Sequence, residues 1–391
     1  MPQASRAPSP VPDRPTLLNP GRVDWEGFAN EIHRLGQEMR ADVGAADFQH
    51  LLRVERMGRL CTLFGYLTAW LAPNPLSAFL IAQGRNARLL IGHHIGHRAY
   101  DRIPGIPARY TTKVFARGWR RFVDWFEWWD NDAWLYLHNS LHHPNTGDST
   151  DADLVDPNNF RGYSLPVRYA IMAFFMMTWK GFYYAPYMQR ELLNLRAGLT
   201  RRGPYRFKPA DFYDLRDPMV RSLWVRNFLP FVLFHFVLVP LLFLPLGVWA
   251  VFSVAANAVL GEIIANVQGF ITIRSSHSAD DIPMFITPPV NRTDYYLRQV
   301  LGTVNYEGGS DFTDMMYTWT NYQVEHHFWV DLPMGRYQQA RARVKEICAR
   351  YGVPYAQENI WRRLWKTTDL YVGRTDQQHV DSRDLLGRVA A

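Results

Sequence analysis

The chain has 391 residues, a net charge of +7 and only two cysteines, and 48% of its residues are hydrophobic. Cys61 and Cys348 lie too far apart in sequence to suggest a disulfide framework or a thiolate metal site. The basic balance suits an anionic membrane surface or a nucleic acid, but no zinc finger or RNA-binding signature is present, so no nucleic-acid partner is expected.

Residues 1–22, rich in Pro and Ser, read as a disordered tail. From 23 to 59, charges are spread along a helical pattern. Residues 60–82 are apolar and broken by Pro73-Asn74-Pro75, which predicts a hairpin with spans near 60–72 and 75–92. The second helix carries Gln83, Arg85, Asn86 and Arg88, groups costly in lipid that should face protein or the interface. Seven Lys/Arg against one acid follow between 98 and 121, with Trp119, Trp125, Trp128, Trp129 and Trp134 in and after the run. Basic residues with tryptophan mark a cytoplasmic membrane interface.

Asp148, Asp151, Asp153 and Asp156 form an acidic loop. Residues 165–188 are apolar but carry Arg168 and Lys180. After a second basic stretch, 190–226, comes a predominantly apolar run of 46 residues, 228–273, enough for two crossings near 228–245 and 248–273 that turn at Pro245-Leu246-Gly247. If the basic loops are cytoplasmic and the uncharged turns outside, 165–188 must be interfacial or half-inserted for His277 to emerge on the side of the other histidines. The remainder is polar, with a basic helical region over 336–363 and a tail over 370–391. The expected fold is an all-α integral membrane protein, about four transmembrane helices in two hairpins under a cytoplasmic helical cap. The main domain spans 23–369 and sits in the cell inner membrane among membrane lipids.

Thirteen histidines are unevenly placed. His138-Asn139-Ser140-Leu141-His142-His143 holds three. On an α-helix His138 and His142 share a face, while His143 lies about 100° further round and reaches towards a second ion. His93 and His97 form another i, i+4 pair, with His94 pointing off their face as a supporting residue. Gln323, His326 and His327 share a third face. Imidazole suits Zn, Cu, Fe and Ni alike. His-Glu-x-x-His is absent, which argues against a zinc protease, and eight candidate ligands exceed the needs of one ion. His235, alone in an apolar run, reads as a packing residue, and His33, His50 and His379 as isolated surface residues. A membrane metal transporter or sensor would place its ligands inside the spans, whereas these clusters lie outside them.

The three boxes resemble those of the integral-membrane fatty acid desaturase and hydroxylase superfamily. Gln323-Val324-Glu325-His326-His327 is similar to the third box of acyl-lipid and front-end desaturases. The stretch from Tyr296-Leu297-Arg298-Gln299-Val300-Leu301-Gly302-Thr303 to Asp331-Leu332-Pro333 resembles actinobacterial-type acyl desaturases. Two departures stand out: His326-His327 is followed by Phe328-Trp329-Val330, and His94 stands where Asp or Asn is common. The resemblance implies two iron ions held by His93, His97, His138, His142, His143, His277, His326 and His327, with His94, Gln323 and Asn139 in support. It further implies O2 as co-substrate and an acyl lipid, acyl-CoA or acyl-carrier-protein substrate. With no His-Pro-Gly-Gly haem motif, electrons would come from a separate carrier: a ferredoxin, a flavoprotein or a cytochrome b5-like protein. A hydroxylase on the same centre is the alternative that the boxes leave open. The substrate-binding residues are not legible.

Overall fold

A computed structural model describes residues 16–148, 151, 160–199 and 210–387. Asp153, Asp156, residues 1–15, part of the second basic stretch and the last four residues lie outside these. The described chain is mostly helical, and its strands are two parallel two-residue ladders, Met284–Phe285 with His379–Val380 and Asn305–Tyr306 with Gln357–Glu358.

Helix α1 (Trp25–Ala41) buries Trp25, Phe28, Ile32 and Leu35. Its Arg40 holds Asp331, just after the third box, with Nη2 2.7 Å from Oδ1. Helices α2 (Ala45–Ala69) and α3 (Pro75–Gly96) form the predicted hairpin. Pro75 supplies a ready φ at the first position of α3, and the Asn74 side chain accepts from Ser77 N at 2.8 Å. The two helices approach closely through small residues: a Cβ on Gly58 would overlap Ala87, and one on Gly84 would overlap Thr62. Outward, α2 exposes Leu60, Leu63, Phe64 and Leu67 at helical spacing.

Two helices among the described residues are long and apolar enough to cross a membrane, Pro218–Leu241 and Val248–Ser276. Only 28% and 44% of their most apolar windows are buried, so neither is a core helix of the ordinary soluble kind. The first begins ten residues earlier than the apolar run suggested, because Asp217 caps it by accepting from Met219 N at 2.8 Å. The α2–α3 hairpin does not meet the same criterion. Charges such as Arg53, Glu55 and Arg59 occupy the first half of α2, and Gln83, Arg85 and Asn86 lie buried along α3. Residues 165–188 fall in Leu165–Trp179, a π turn at Lys180–Tyr184 and the start of Ala185–Arg196, packed along Val248–Ile273.

Both uncharged turns lie at one end of the bundle. Trp249 Nε1 donates to Leu71 O at 3.0 Å, and Asn257 Nδ2 to Ala72 O at 2.9 Å. At the other end sit the histidines, under α1, Arg292–Leu301, Met334–Tyr351 and Ile360–Tyr371. The region read as a C-terminal tail packs here: Leu385 is buried, and Ser382 Oγ accepts from Arg298 Nη2 at 2.8 Å. Of the tryptophans assigned to the membrane interface, Trp119 is 70% exposed, but Trp125, Trp129 and Trp134 turn inward. Aromatic content alone does not separate a lipid-facing ring from one that walls a cavity.

Candidate metal centre and active site

Helix α3 delivers the first box. His93 and His97 project from its last turn, and His97 ends the helix with its N–H bonded to His93 O at 3.1 Å. Arg98 then adopts φ 63°, which turns the chain away. The second box does not lie on α-helix. Residues Leu137–His142 form a π-helix, whose i→i+5 hydrogen bonding brings His143 round beside His138. Their Nε2 atoms face each other at 3.1 Å. The α-helical expectation, His138 with His142 on one ion, is therefore corrected by the π turn. His326 and His327 come from Gln323–Phe328, and His277 follows the turn Arg274–Ser276 at the end of the second apolar helix.

Two nitrogen sets result. One comprises His93, His97, His138, His143 and His326, and the other His142, His143 and His327, each set within 4.8 Å. His143 belongs to both. His277 lies beside the second set, its ring centroid 5.0 Å from His142 and 4.7 Å from His327. Within the first set, Nε2 atoms stand 3.0 Å apart for His93–His326, 3.1 Å for His143–His97 and 3.3 Å for His138–His93. Two nitrogens each about 2.1 Å from one ion, at angles near 90°, would be roughly 3.0 Å apart, so these separations fit shared coordination.

Protonation agrees. Burial first, then the neighbouring imidazoles, push His97, His138, His143, His326 and His327 well below the usual imidazole value of 6.5. All five rings are neutral with a lone pair to offer. A cation satisfies converging lone pairs that imidazoles alone cannot. The buried Nε2 of His327 has no protein partner among the described residues.

The outward nitrogens are held. His142 Nδ1 donates to Asp151 Oδ1 at 2.7 Å, and His327 Nδ1 to Gln299 Oε1 at 2.8 Å. His326 Nδ1 lies 3.2 Å from the Tyr337 hydroxyl. Such contacts fix the tautomer and aim Nε2 inward. Asp151 stood in the acidic loop and Gln299 in the stretch carrying the resemblance, but nothing in the sequence paired either with a histidine. Gln323 Nε2 lies 3.0 Å from His277 Nε2, so these two act as one unit.

Of the supporting residues, His94 stacks on His93 at 5.0 Å and lies in neither set. Asn139 Nδ2 donates to Gly96 O at 3.0 Å, tying the second box to α3. His235 is buried among Phe126, Phe231 and Phe234 and lies in neither set. His379 is exposed, but His33 bonds Tyr296 and His50 packs on Trp319, so both are partly covered.

A pocket opens against the histidines. Apart from Thr320 and Gln323, the rest of its lining is Leu89, Ile273 and the aromatic Trp129, Trp134, Trp179 and Tyr184. The pairing defines the class of the protein, a cluster of histidines able to hold metal ions that faces an apolar slot beside membrane-type helices. The model of the fatty acid desaturase family matches residues 67–359, and the chain belongs to that family. Over 371 residues it is 22% identical to the NADPH-dependent stearoyl-CoA 9-desaturase of Mycobacterium tuberculosis, covering 88% of this chain and 79% of that one. It is 24% identical over 256 residues to the fatty acid desaturase 2-like protein FADS2B of Mus musculus, 62% of this chain and 47% of that protein. A shorter match, 30% over 91 residues, is to Delta(8)-fatty-acid desaturase 2 of Arabidopsis thaliana. The chain is an oxidoreductase of the desaturase class.

Proposed function

We propose that the protein is a membrane-bound di-iron acyl desaturase that introduces a C=C bond into the acyl chain of a lipid or thioester, with O2 as co-substrate. The observation that carries this reading is the pair of histidine sets sharing His143 at the mouth of an apolar pocket. His93, His97, His138, His143 and His326 would hold one iron ion, and His142, His143 and His327, with His277 beside them, the other. Bound there, the two ions would supply activation of O2, which takes two electrons from the alkyl chain and two from a donor and leaves as water.

The chain's own part is placement. Asp151, Gln299 and Tyr337 keep the imidazoles aimed, and Trp134, stacked 4.5 Å from His138, closes the ring of ligands towards the pocket. Leu89, Ile273 and Trp179, whose indole N–H is taken up by Asn266 O, offer nothing polar to a methylene chain and exclude water from it. Electrons arrive from a separate ferredoxin, flavoprotein or cytochrome b5-like carrier, and the substrate is an acyl lipid, acyl-CoA or acyl-carrier protein.

In this reading residues 23–369 form the desaturase domain. The apolar face of α2 joins the two longer helices in a four-span unit in the cell inner membrane, with the histidines on the cytoplasmic face. The test is expression in a host rich in saturated acyl chains, with mass spectrometry of its lipids and elemental analysis of the purified protein. Loss of two hydrogens from an acyl chain and two iron ions per chain are expected. Gain of one oxygen would make the enzyme a hydroxylase, and one zinc with no iron would overturn the metal assignment.

A further inference from the structure

Four charged side chains lie buried between the helices where lipid-type packing would be expected. Arg85 of α3 pairs with Glu262 of Val248–Ile273. Lys180 Nζ lies 3.4 Å from Glu127 Oε1, and all four side chains are less than a tenth exposed. Charge inside a span is costly, and a buried ion pair replaced by packed apolar residues usually loses no stability. The network is also incomplete, since Arg85 Nη2 and Glu127 Oε2 have no protein partner among the described residues. Bundle stability alone is a poor account of it.

Its position suggests another. His93, Leu89 and Arg85 follow each other at four-residue steps along one face of α3, roughly 6 Å per step. His93 and Leu89 line the pocket, and Arg85 comes next below. The same holds on the other walls. Trp129 follows Glu127 and Trp128, and the Trp128 indole donates to Glu262 Oε1 at 2.8 Å. Trp179 precedes Lys180, its indole donates to Asn266 O at 2.8 Å, and Lys180 N donates to Asn266 Oδ1 at 3.1 Å. Asn266 in turn donates to Glu262 Oε1 at 2.8 Å. Three segments that wall the pocket, those carrying Leu89, Trp129 and Trp179, are thus anchored next to their wall residues in one charged network. A π turn begins at Lys180, at the same level.

We infer that the Arg85–Glu262 and Lys180–Glu127 pairs are positioning residues that fix the closed end of the pocket and so set which acyl chain lengths the enzyme accepts. This rests on the desaturase reading. An apolar wall can slide or repack to admit another methylene, whereas one tied to paired charges cannot without breaking them.

The experiment feeds saturated fatty acids of graded length to host cells making the full-length protein and profiles unsaturated products by chain length and double-bond position. Arg85→Ala combined with Glu262→Ala removes both charges and the volume behind Leu89. The expected result is a shift of at least about tenfold in the ratio of the longest to the shortest product, the discrimination that one methylene supplies, or a displaced double bond. Iron content and the thermal transition in detergent establish that the variant is folded. If it does not accumulate, Leu89→Phe fills the pocket from above, and products should shift towards shorter chains by a similar factor. A folded, metal-loaded double variant with the unaltered profile, or Leu89→Phe with the unaltered profile, overturns the inference. Absence of unsaturated product from the unaltered protein would instead count against the desaturase reading.

Discussion

His138 and His143 meet with their Nε2 atoms 3.1 Å apart because a π turn, not an α-helix, lies between them. The extra residue per hydrogen-bonded ring frees His142 for the second nitrogen set and leaves His143 common to both. Loss of His143 should therefore remove both ions. His143→Ala is expected to abolish unsaturated product and to lower iron further than His326→Ala, which touches one set. Elemental analysis at matched expression decides it, and equal iron in the two variants would contradict a shared ligand.

The partners that aim the imidazoles predict a graded effect. Gln299→Leu leaves His327 Nδ1 only the Thr146 hydroxyl, 3.1 Å away, and also removes a bond from Gln299 Nε2 to His143 O at 3.2 Å. Loss of such an orienting contact typically costs about 10–100-fold in metal affinity or activity. Competition with a chelator should show that decrease for Gln299→Leu and, at the other ring, for Asp151→Ala. Chelator resistance at the level of the unaltered protein would mean that these contacts do not hold the ligands.

The boxes were legible because a metal site needs several imidazoles at short spacing, and that is a local pattern. What the sequence could not give is equally physical. No residue type distinguishes i→i+5 from i→i+4 hydrogen bonding, so the pairing within His138–His143 was hidden. Asp151, Gln299 and Tyr337 come from three remote segments and meet the histidines only in the fold. Trp129 and Trp134 read as interface anchors, because tryptophan suits a headgroup layer and a pocket wall equally well. The turns at 73–75 and 245–247 were legible because proline, asparagine and glycine punctuate long apolar runs.

Acid should dismantle the centre. His138, His143, His326 and His327 titrate far below 6.5 in the fold because they are buried beside one another. Below about 6.5 the unfolded chain takes up protons that the folded chain refuses, so stability is full above that value and lost as the pH falls. Each ring approaches about 1.4 kcal/mol per pH unit. Metal binding needs the neutral ring, so bound iron should be lost over the same range. Thermal unfolding in detergent at stepped pH checks the sign, and a midpoint that stays flat from about pH 7 to about pH 5 would refute it.

Bystander histidines should be dispensable. His94 lies in neither set, and His379 is exposed in a two-residue strand at the edge of the cap. His94→Asn and His379→Ala should each retain most of the unsaturated product, with surface-type stability changes within about 0.5 kcal/mol for the latter. A metal-free His94→Asn protein at normal expression would make His94 a ligand.

The fold supplies the probes for sidedness. Leu244, in the turn that sits at the same end of the bundle as Leu71 and Ala72, is 51% exposed, and Lys113, in the basic stretch after the first box, is also exposed. Basic loops are retained in the cytoplasm, so the two positions should lie on opposite sides of the membrane. With Cys61 replaced by Ser and Cys348 left buried, Leu244→Cys should react with an impermeant maleimide added to whole spheroplasts. Lys113→Cys should react only after the membrane is opened. Labelling of both from outside would place the histidines away from the cytoplasm. Labelling of neither before lysis and both after it would mean that the helices Pro218–Leu241 and Val248–Ser276 do not carry the chain across and back.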